Sequence, residues 1–210
     1  MKIFDAMPIH SDQDLLSLRA ALCQKSIRFG DFTLASGGKS DVYVDAKLTT
    51  CSAEWISVIG RVFLNKMLSR QWFPKAVGGL TLGADPIAFA IAGESVKLGH
   101  SIDAFIVRKE PKKHGRQRAI EGLDQTEGVP VVILDDVCTR GDSTRMAMEH
   151  AIDAGMNVIG AMCLVDRGEG AAELIATKFG VDLERIFTLS DLRVYQNECR
   201  KSTEAIEANI

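Results

Sequence analysis

No two of the five cysteines, Cys23, Cys51, Cys138, Cys163 and Cys199, lie closer than 25 positions. This excludes a CxxC redox pair or a zinc knuckle and reads as five reduced thiols in a cytosolic protein. No run approaches the roughly 18 apolar residues of a membrane span. The first residues, MKIFDAMPIHSDQDLL, carry acids where a secretory leader would carry a basic region. Secretion and membrane insertion are therefore not expected. Positive charge is not in excess either. With 25 basic residues against 28 acidic, the net charge of -3 gives no overall attraction to nucleic acid or to an anionic membrane. His10, His100 and His150 read as surface or packing residues. Internal repeats, low-complexity tracts and linkers are missing too, which argues for one domain.

What is present is ordinary globular composition, 46% hydrophobic and 25% charged over 210 residues. A chain of this length buries roughly 70% of its unfolded surface and needs no disulfide or metal to fold. Ser11 and Asp14 resemble a capping box, and Leu15, Leu18, Leu22 and Ile27 recur at helical spacing, predicting a helix that runs to Gly30. Short β runs at 32–34 and 42–45 flank a Gly37-Gly38 turn, and a second helix carries Trp55, Ile59, Val62, Phe63 and Met67. From Lys75 the rhythm becomes strand, loop, helix: KAVGG, DAFIVR, VVILDD and NVIGAMCLVDR alternate with helical segments. That alternation predicts an α/β fold with a mostly parallel central sheet flanked by helices. Residues 51–189 make the core, and 1–50 with 190–210 make a smaller structure.

In such sheets ligands sit at the carboxyl ends of the strands, so the residues after VVIL come first. Asp135 and Asp136 leave a buried strand together, which is costly unless something polar or cationic meets them. Vicinal sugar hydroxyls, or a magnesium ion holding a sugar and a phosphate, would serve. Thr139, Arg140, Gly141, Asp142 and Ser143 then offer hydroxyls, a glycine and successive backbone N–H groups at a helix start, which suits a phosphate dianion. The plainer alternative has the aspartates merely ending a strand while Asp142 or Ser143 caps the helix.

The whole string resembles the 5-phosphoribosyl 1-diphosphate (PRPP) signature of the type I phosphoribosyltransferases. It departs from that pattern at Cys138, where an aliphatic residue is usual, at Arg140, where a small one is common, and at Asp142, which adds negative charge to a phosphate loop. Asp142 fits only with its side chain turned from the anion, as a helix cap would be.

Arg108 to Arg118 holds six Lys or Arg, one His and one acid, leaving 19 basic against 27 acidic residues in the rest of the chain. A charge run can be merely a solvated face. This one follows a β run, contains Pro111 and Gly115, and lacks an apolar face, so it reads as a mobile loop suited to a polyanionic small ligand. RKEPKKHG followed by Ile120-Glu121-Gly122 resembles the catalytic loop of the orotate phosphoribosyltransferases. The resemblance assigns Arg108, Lys109, Lys112 and His114 to PRPP, and implies a homodimer in which the 108–118 loop reaches the neighbouring active site.

FTLASGGKSDVYVDAKL is similar to the same branch at Phe32, Leu34, Ser36, Gly37 and Ser40, with Tyr43 in the aromatic region of the base pocket. Ala35 stands where some members carry a lysine. Arg167, just after a strand, matches the arginine that meets the base, its plainer reading being a surface arginine paired with Glu169. The resemblance also places Thr139 near the base. In GGLTLGADP, Gly79, Thr81 and Gly83 match the loop near the pyrophosphate.

The implied fold is the type I phosphoribosyltransferase fold with a small hood, and the implied activity is orotate phosphoribosyl transfer with Mg2+. Asp135 and Asp136 contact the ribose, directly or through the metal. Two alternatives stay open: transfer to another base, and a PRPP-sensing regulator that binds nucleic acid.

Overall fold

The computed structural model describes residues 12–33, 38–110 and 119–207, with side chains to residue 201. Lys112, His114, Leu34, Ala35, Ser36 and Gly37 lie outside the described residues.

The apolar run VVIL is the middle of a six-stranded sheet. Its strands are β3 (Ala76–Leu80), β4 (Asp103–Val107), β5 (Ile120–Glu121), β6 (Pro130–Cys138), β7 (Asn157–Asp166) and β8 (Leu183–Thr188), in the order β5-β4-β3-β6-β7-β8. Five run parallel, and the short edge strand β5 lies antiparallel to β4. A strand covered on both faces needs continuous rather than alternating hydrophobicity. Val131, Val132, Ile133 and Leu134 are accordingly at most 1% exposed. Helices α3 (Ile56–Ser69) and α4 (Asp85–Lys97) cover one face with Ile59, Phe63, Met67, Ile87 and Ile91. Helices α5 (Asp142–Asp153) and α6 (Ala171–Phe179) bury Met148, Ala151 and Ile175 on the other.

The amino-terminal segment differs from its expected form. Helix α1 (Asp12–Ala21) widens into one π-helical segment, Leu22–Ser26, and the chain then enters strand β1 (Ile27–Thr33), antiparallel to β2 (Lys39–Val44). Ile27, expected on the helix, is instead a buried strand residue paired with Val44. Long-range pairing wins over helical spacing here: the Ser26 carbonyl accepts the Asp45 N–H at 2.8 Å and its hydroxyl meets Thr49 at 2.7 Å. Asp14 accepts two hydrogen bonds from Arg61 on α3, at 2.7 and 2.8 Å, while Ser11, its expected capping partner, lies outside the described residues. After β2 come the short α2 (Lys47–Thr50) and then α3. Helix α7 (Leu189–Glu207) returns to this segment, with Leu192 buried, Tyr195 under the Arg19 guanidinium and Arg193 paired with Asp41 at 2.8 Å. Strand β8 has alternating burial, a weaker sequence signal than the continuous runs.

Among the described residues no helix is long and apolar enough to cross a membrane.

Candidate active site

From β3 the chain proceeds outward to β4 and β5; from β6 it proceeds the other way, to β7 and β8. The crevice at the carboxyl ends of β3 and β6 is therefore the topological switch point, where α/β sheets bind ligands. Asp135 and Asp136 stand there, 6% and 7% exposed. Burying two carboxylates side by side is expensive unless each is compensated.

The two aspartates are compensated differently. Asp136 accepts a 2.9 Å hydrogen bond from the Lys47 ammonium, on α2, and another from the Val137 N–H at 3.0 Å. Burial works against the charged lysine, but the hydrogen bond and charge of Asp136, with Asp45 and Asp135 behind it, raise its pKa. Asp135 accepts from the Asp136 N–H and the Thr144 hydroxyl, both at 3.0 Å. Among the described residues no cation is ion-paired with it. Burial first, and the adjacent Asp136 charge second, push its pKa up to about 7, against the pull of the Thr144 and Asp136 hydrogen bonds.

The loop after β3 lies directly on this pair. A Cβ at Gly83 would stand 2.5 Å from Oδ1 of Asp136 and 3.3 Å from Oδ1 of Asp135, so only glycine lets the loop approach this closely. Thr81 donates to Asp85 at 2.6 Å, and its N–H bonds to the Val107 carbonyl at 2.9 Å. The end of β4, where the basic segment begins, is thereby held beside the Thr81 loop. Arg108 lies 3.5 Å from Glu121, and Lys109 lines a cleft of about 740 Å³ together with Thr81, Ile106 and Glu110.

After β6, Thr139 is half-buried and Arg140 exposed, and Gly141 starts α5 from the left-handed region at φ 81°. The first intrahelical bond of this end is Arg145 N–H to the Gly141 carbonyl, leaving the N–H groups of Asp142, Ser143 and Thr144 without a helical acceptor. Asp142 is not a side-chain cap; it leans toward Arg145, 3.9 Å away. Cys138 is buried, its sulfur 3.2 Å from the Thr144 hydroxyl.

Arg167 follows β7 and is tied to β6 by its N–H on the Cys138 carbonyl, 2.9 Å. Its guanidinium reaches Ser40 of β2 at 3.5 Å and Glu169 at 3.0 Å. Tyr43, on the same strand as Ser40, is about half exposed and tilts against Phe32 with ring centroids 5.8 Å apart. Gly83 and Lys47 thus meet the Asp135–Asp136 pair at the carboxyl end of β6, and Arg167, just after the neighbouring β7, meets Ser40. Sequence reasoning missed Lys47 and Thr144. No motif spacing singles out Lys47, and its partner lies 89 positions away.

No family model matches the chain. It is similar to "Orotate phosphoribosyltransferase" of Thermosynechococcus vestitus, 40% identical over 190 residues covering 89% of this chain and 98% of the relative. The protein of that name from Aquifex aeolicus is 44% identical over 172 residues, covering 80% and 92%. Among solved structures, Mycobacterium tuberculosis orotate phosphoribosyltransferase in complex with Fe(III) dicitrate superposes with a TM-score of 0.74 at 40% identity, over 85% of this chain and 98% of that one. The same enzyme in complex with PRPP gives 0.71 at 35% identity, again over 85% and 98%. Adenine phosphoribosyltransferase of Leishmania donovani, at 17% identity and a TM-score of 0.58, shares the fold alone. A doubly flanked parallel sheet, a buried carboxylate pair at its switch point and sequence identity of this extent agree: the chain belongs to the orotate phosphoribosyltransferase family.

Proposed function

We propose that this protein transfers the 5-phosphoribosyl group from PRPP to orotate, giving orotidine 5′-monophosphate and pyrophosphate, as an enzyme of pyrimidine biosynthesis in the cytoplasm. The observation that carries the reading is the buried Asp135–Asp136 pair between a glycine that touches it and a helix start with free N–H groups. In the reaction the C1′–O bond to pyrophosphate breaks as the bond from C1′ to the base nitrogen forms, and positive charge develops on the sugar. Asp135 and Asp136 hold the ribose hydroxyls and oppose that charge. Thr139, Arg140, Gly141 and Ser143 seat the 5′-phosphate on the N–H groups of α5, with Asp142 turned toward Arg145. Arg108, Lys109, Lys112 and His114 meet the pyrophosphate, whose leaving oxygen gains negative charge. Arg167 takes the carboxylate of the base, and Tyr43 and Thr139 flank its ring. Cys138 lies behind the phosphate loop and does no chemistry.

Magnesium fits this donor set. It is commonly held by one or two carboxylates together with substrate phosphates, and Asp135 offers a buried carboxylate that no described cation already neutralises. When bound, the ion neutralises charge on the pyrophosphate. Residues 1–50 and 190–210 act as a hood over the core 51–189, with Lys47 as its ion pair to Asp136. A homodimer is supported by an outward stripe of Phe89, Gly93 and Val96 on α4, next to Leu82, which is 72% exposed. Such a stripe fits burial against a second copy, and in that dimer the 108–118 loop serves the neighbouring site.

The test is orotate-dependent release of pyrophosphate from PRPP, with uracil, adenine, hypoxanthine and xanthine as competing bases. Release with orotate, and a fall on the order of 100-fold in turnover for Lys109→Ala, is expected. No release with orotate would overturn the reading.

A further inference from the structure

Arg167 is held in a state of incomplete satisfaction. Its side chain is 19% exposed, and its Nε lies 3.0 Å from Oε1 of Glu169. That buried Nε nevertheless makes no directed hydrogen bond, because the carboxylate oxygen stands off the line of the N–H. The charge is compensated and the direction is not. A carboxylate that approaches in the guanidinium plane makes two parallel hydrogen bonds, the stronger arrangement.

The backbone around Glu169 is built for its departure. Glu169 sits between Gly168 and Gly170, at φ 74° and 97°, and a Cβ at either would meet no atom within 4 Å. Its side chain is 45% exposed, so it can turn into water with little to lose. The neighbouring acids are engaged elsewhere: Asp41 with Arg193 at 2.8 Å, and Asp166 with the Gly168 N–H at 2.8 Å and Arg185 at 3.5 Å.

We propose that Glu169 is an internal stand-in for the carboxylate of the base, which orotate must displace from Arg167 and which competes again with the nucleotide product. The proposal rests on the assignment of Arg167 to the base carboxylate. While the pocket is empty, Glu169 keeps a largely buried cation compensated. When orotate enters, one carboxylate replaces another, and the pocket keeps its charge while the geometry improves. When the nucleotide leaves, Glu169 returns to Arg167 and assists release. Glu169 thereby weakens ground-state binding of both carboxylated ligands.

Steady-state kinetics of Glu169→Gln test this. The orotate KM should fall about two- to fivefold, the range of a half-exposed ion pair. Inhibition by orotidine 5′-monophosphate should tighten by a similar factor, the PRPP KM should hold, and Glu169→Asp should restore wild-type behaviour. A rise in the orotate KM would mean that Glu169 orients Arg167 instead, and an unchanged KM would mean that it does not compete; either overturns the proposal. Arg167→Ala separates the two layers. It should raise the orotate KM on the order of 10- to 100-fold. If it does not, the assignment of Arg167 fails; if it does while Glu169→Gln leaves the KM unchanged, only the stand-in role fails.

Discussion

At the amino ends of β3 and β4, Leu64, Met67, Trp72, Leu98 and Ile102 surround an apolar cavity of about 240 Å³. At the carboxyl ends of β3 and β6, two carboxylates, an ammonium and a glycine crowd into one crevice. The first end gains from every apolar atom it buries, at roughly 25 cal/mol per Å². The second holds Asp135 without a paired cation among the described residues and pushes its pKa to about 7. One end of the sheet is thus lined mainly by apolar side chains and the other by charged ones, so substitutions at the two ends should fail in different assays.

The largest effect is expected from Asp135→Asn, which should reduce turnover on the order of 100- to 1000-fold by removing charge that opposes the cationic sugar. It should also remove a pH slope. In the unliganded protein the folded Asp135 carboxyl keeps its proton up to about pH 7, whereas its ordinary value is 3.8. Its contribution to stability is therefore intact below the unfolded value and is lost as pH rises through about 7. Urea midpoints of the unliganded protein at pH 5 and pH 8 should consequently lie closer together in the variant than in wild type. Next comes Trp72→Ala at the opposite end. The Trp72 ring lies so close on Gly160 of β7 that a Cβ there would be 2.4 Å from it. Its loss should lower stability by about 3 kcal/mol in a denaturant titration while leaving both substrate KM values as they were. Gly83→Ala should do the reverse. Its methyl would force Asp136 aside, reducing kcat/KM about 100-fold, or 2.7 kcal/mol, with little change in the denaturant midpoint. Equal damage to stability and turnover in any of these variants would break the contrast between the ends.

Much of the apolar core was legible in the sequence, because strands buried on both faces announce themselves as runs such as VVIL. From the residues alone the polar end was legible where they are consecutive, and elsewhere, as at Gly83 and Arg167, through the family resemblance. Asp135 through Ser143 form one string, so the carboxylates and the phosphate loop could be read together. Lys47 and Thr144 act through contacts that periodicity does not encode. The misplaced end of the first helix has the same origin: Ile27 satisfies helical spacing, but its partner is Val44, on a strand reached only after a turn. The sequence showed Glu169 beside Arg167; it did not show that the contact between them is misdirected.

The short antiparallel strand β5 sets a tether. The Arg108 N–H bonds to the Ala119 carbonyl at 2.9 Å, so the ten residues between them start and finish at one rung of the ladder. A chain pinned at both ends can extend only half its contour length from that rung, about 17 Å at roughly 3.4 Å per residue. The backbone between Arg108 and Ala119 cannot pass that radius, to which only the length of a side chain is added, so two short strands are enough to bound what the segment can touch, in this subunit or another.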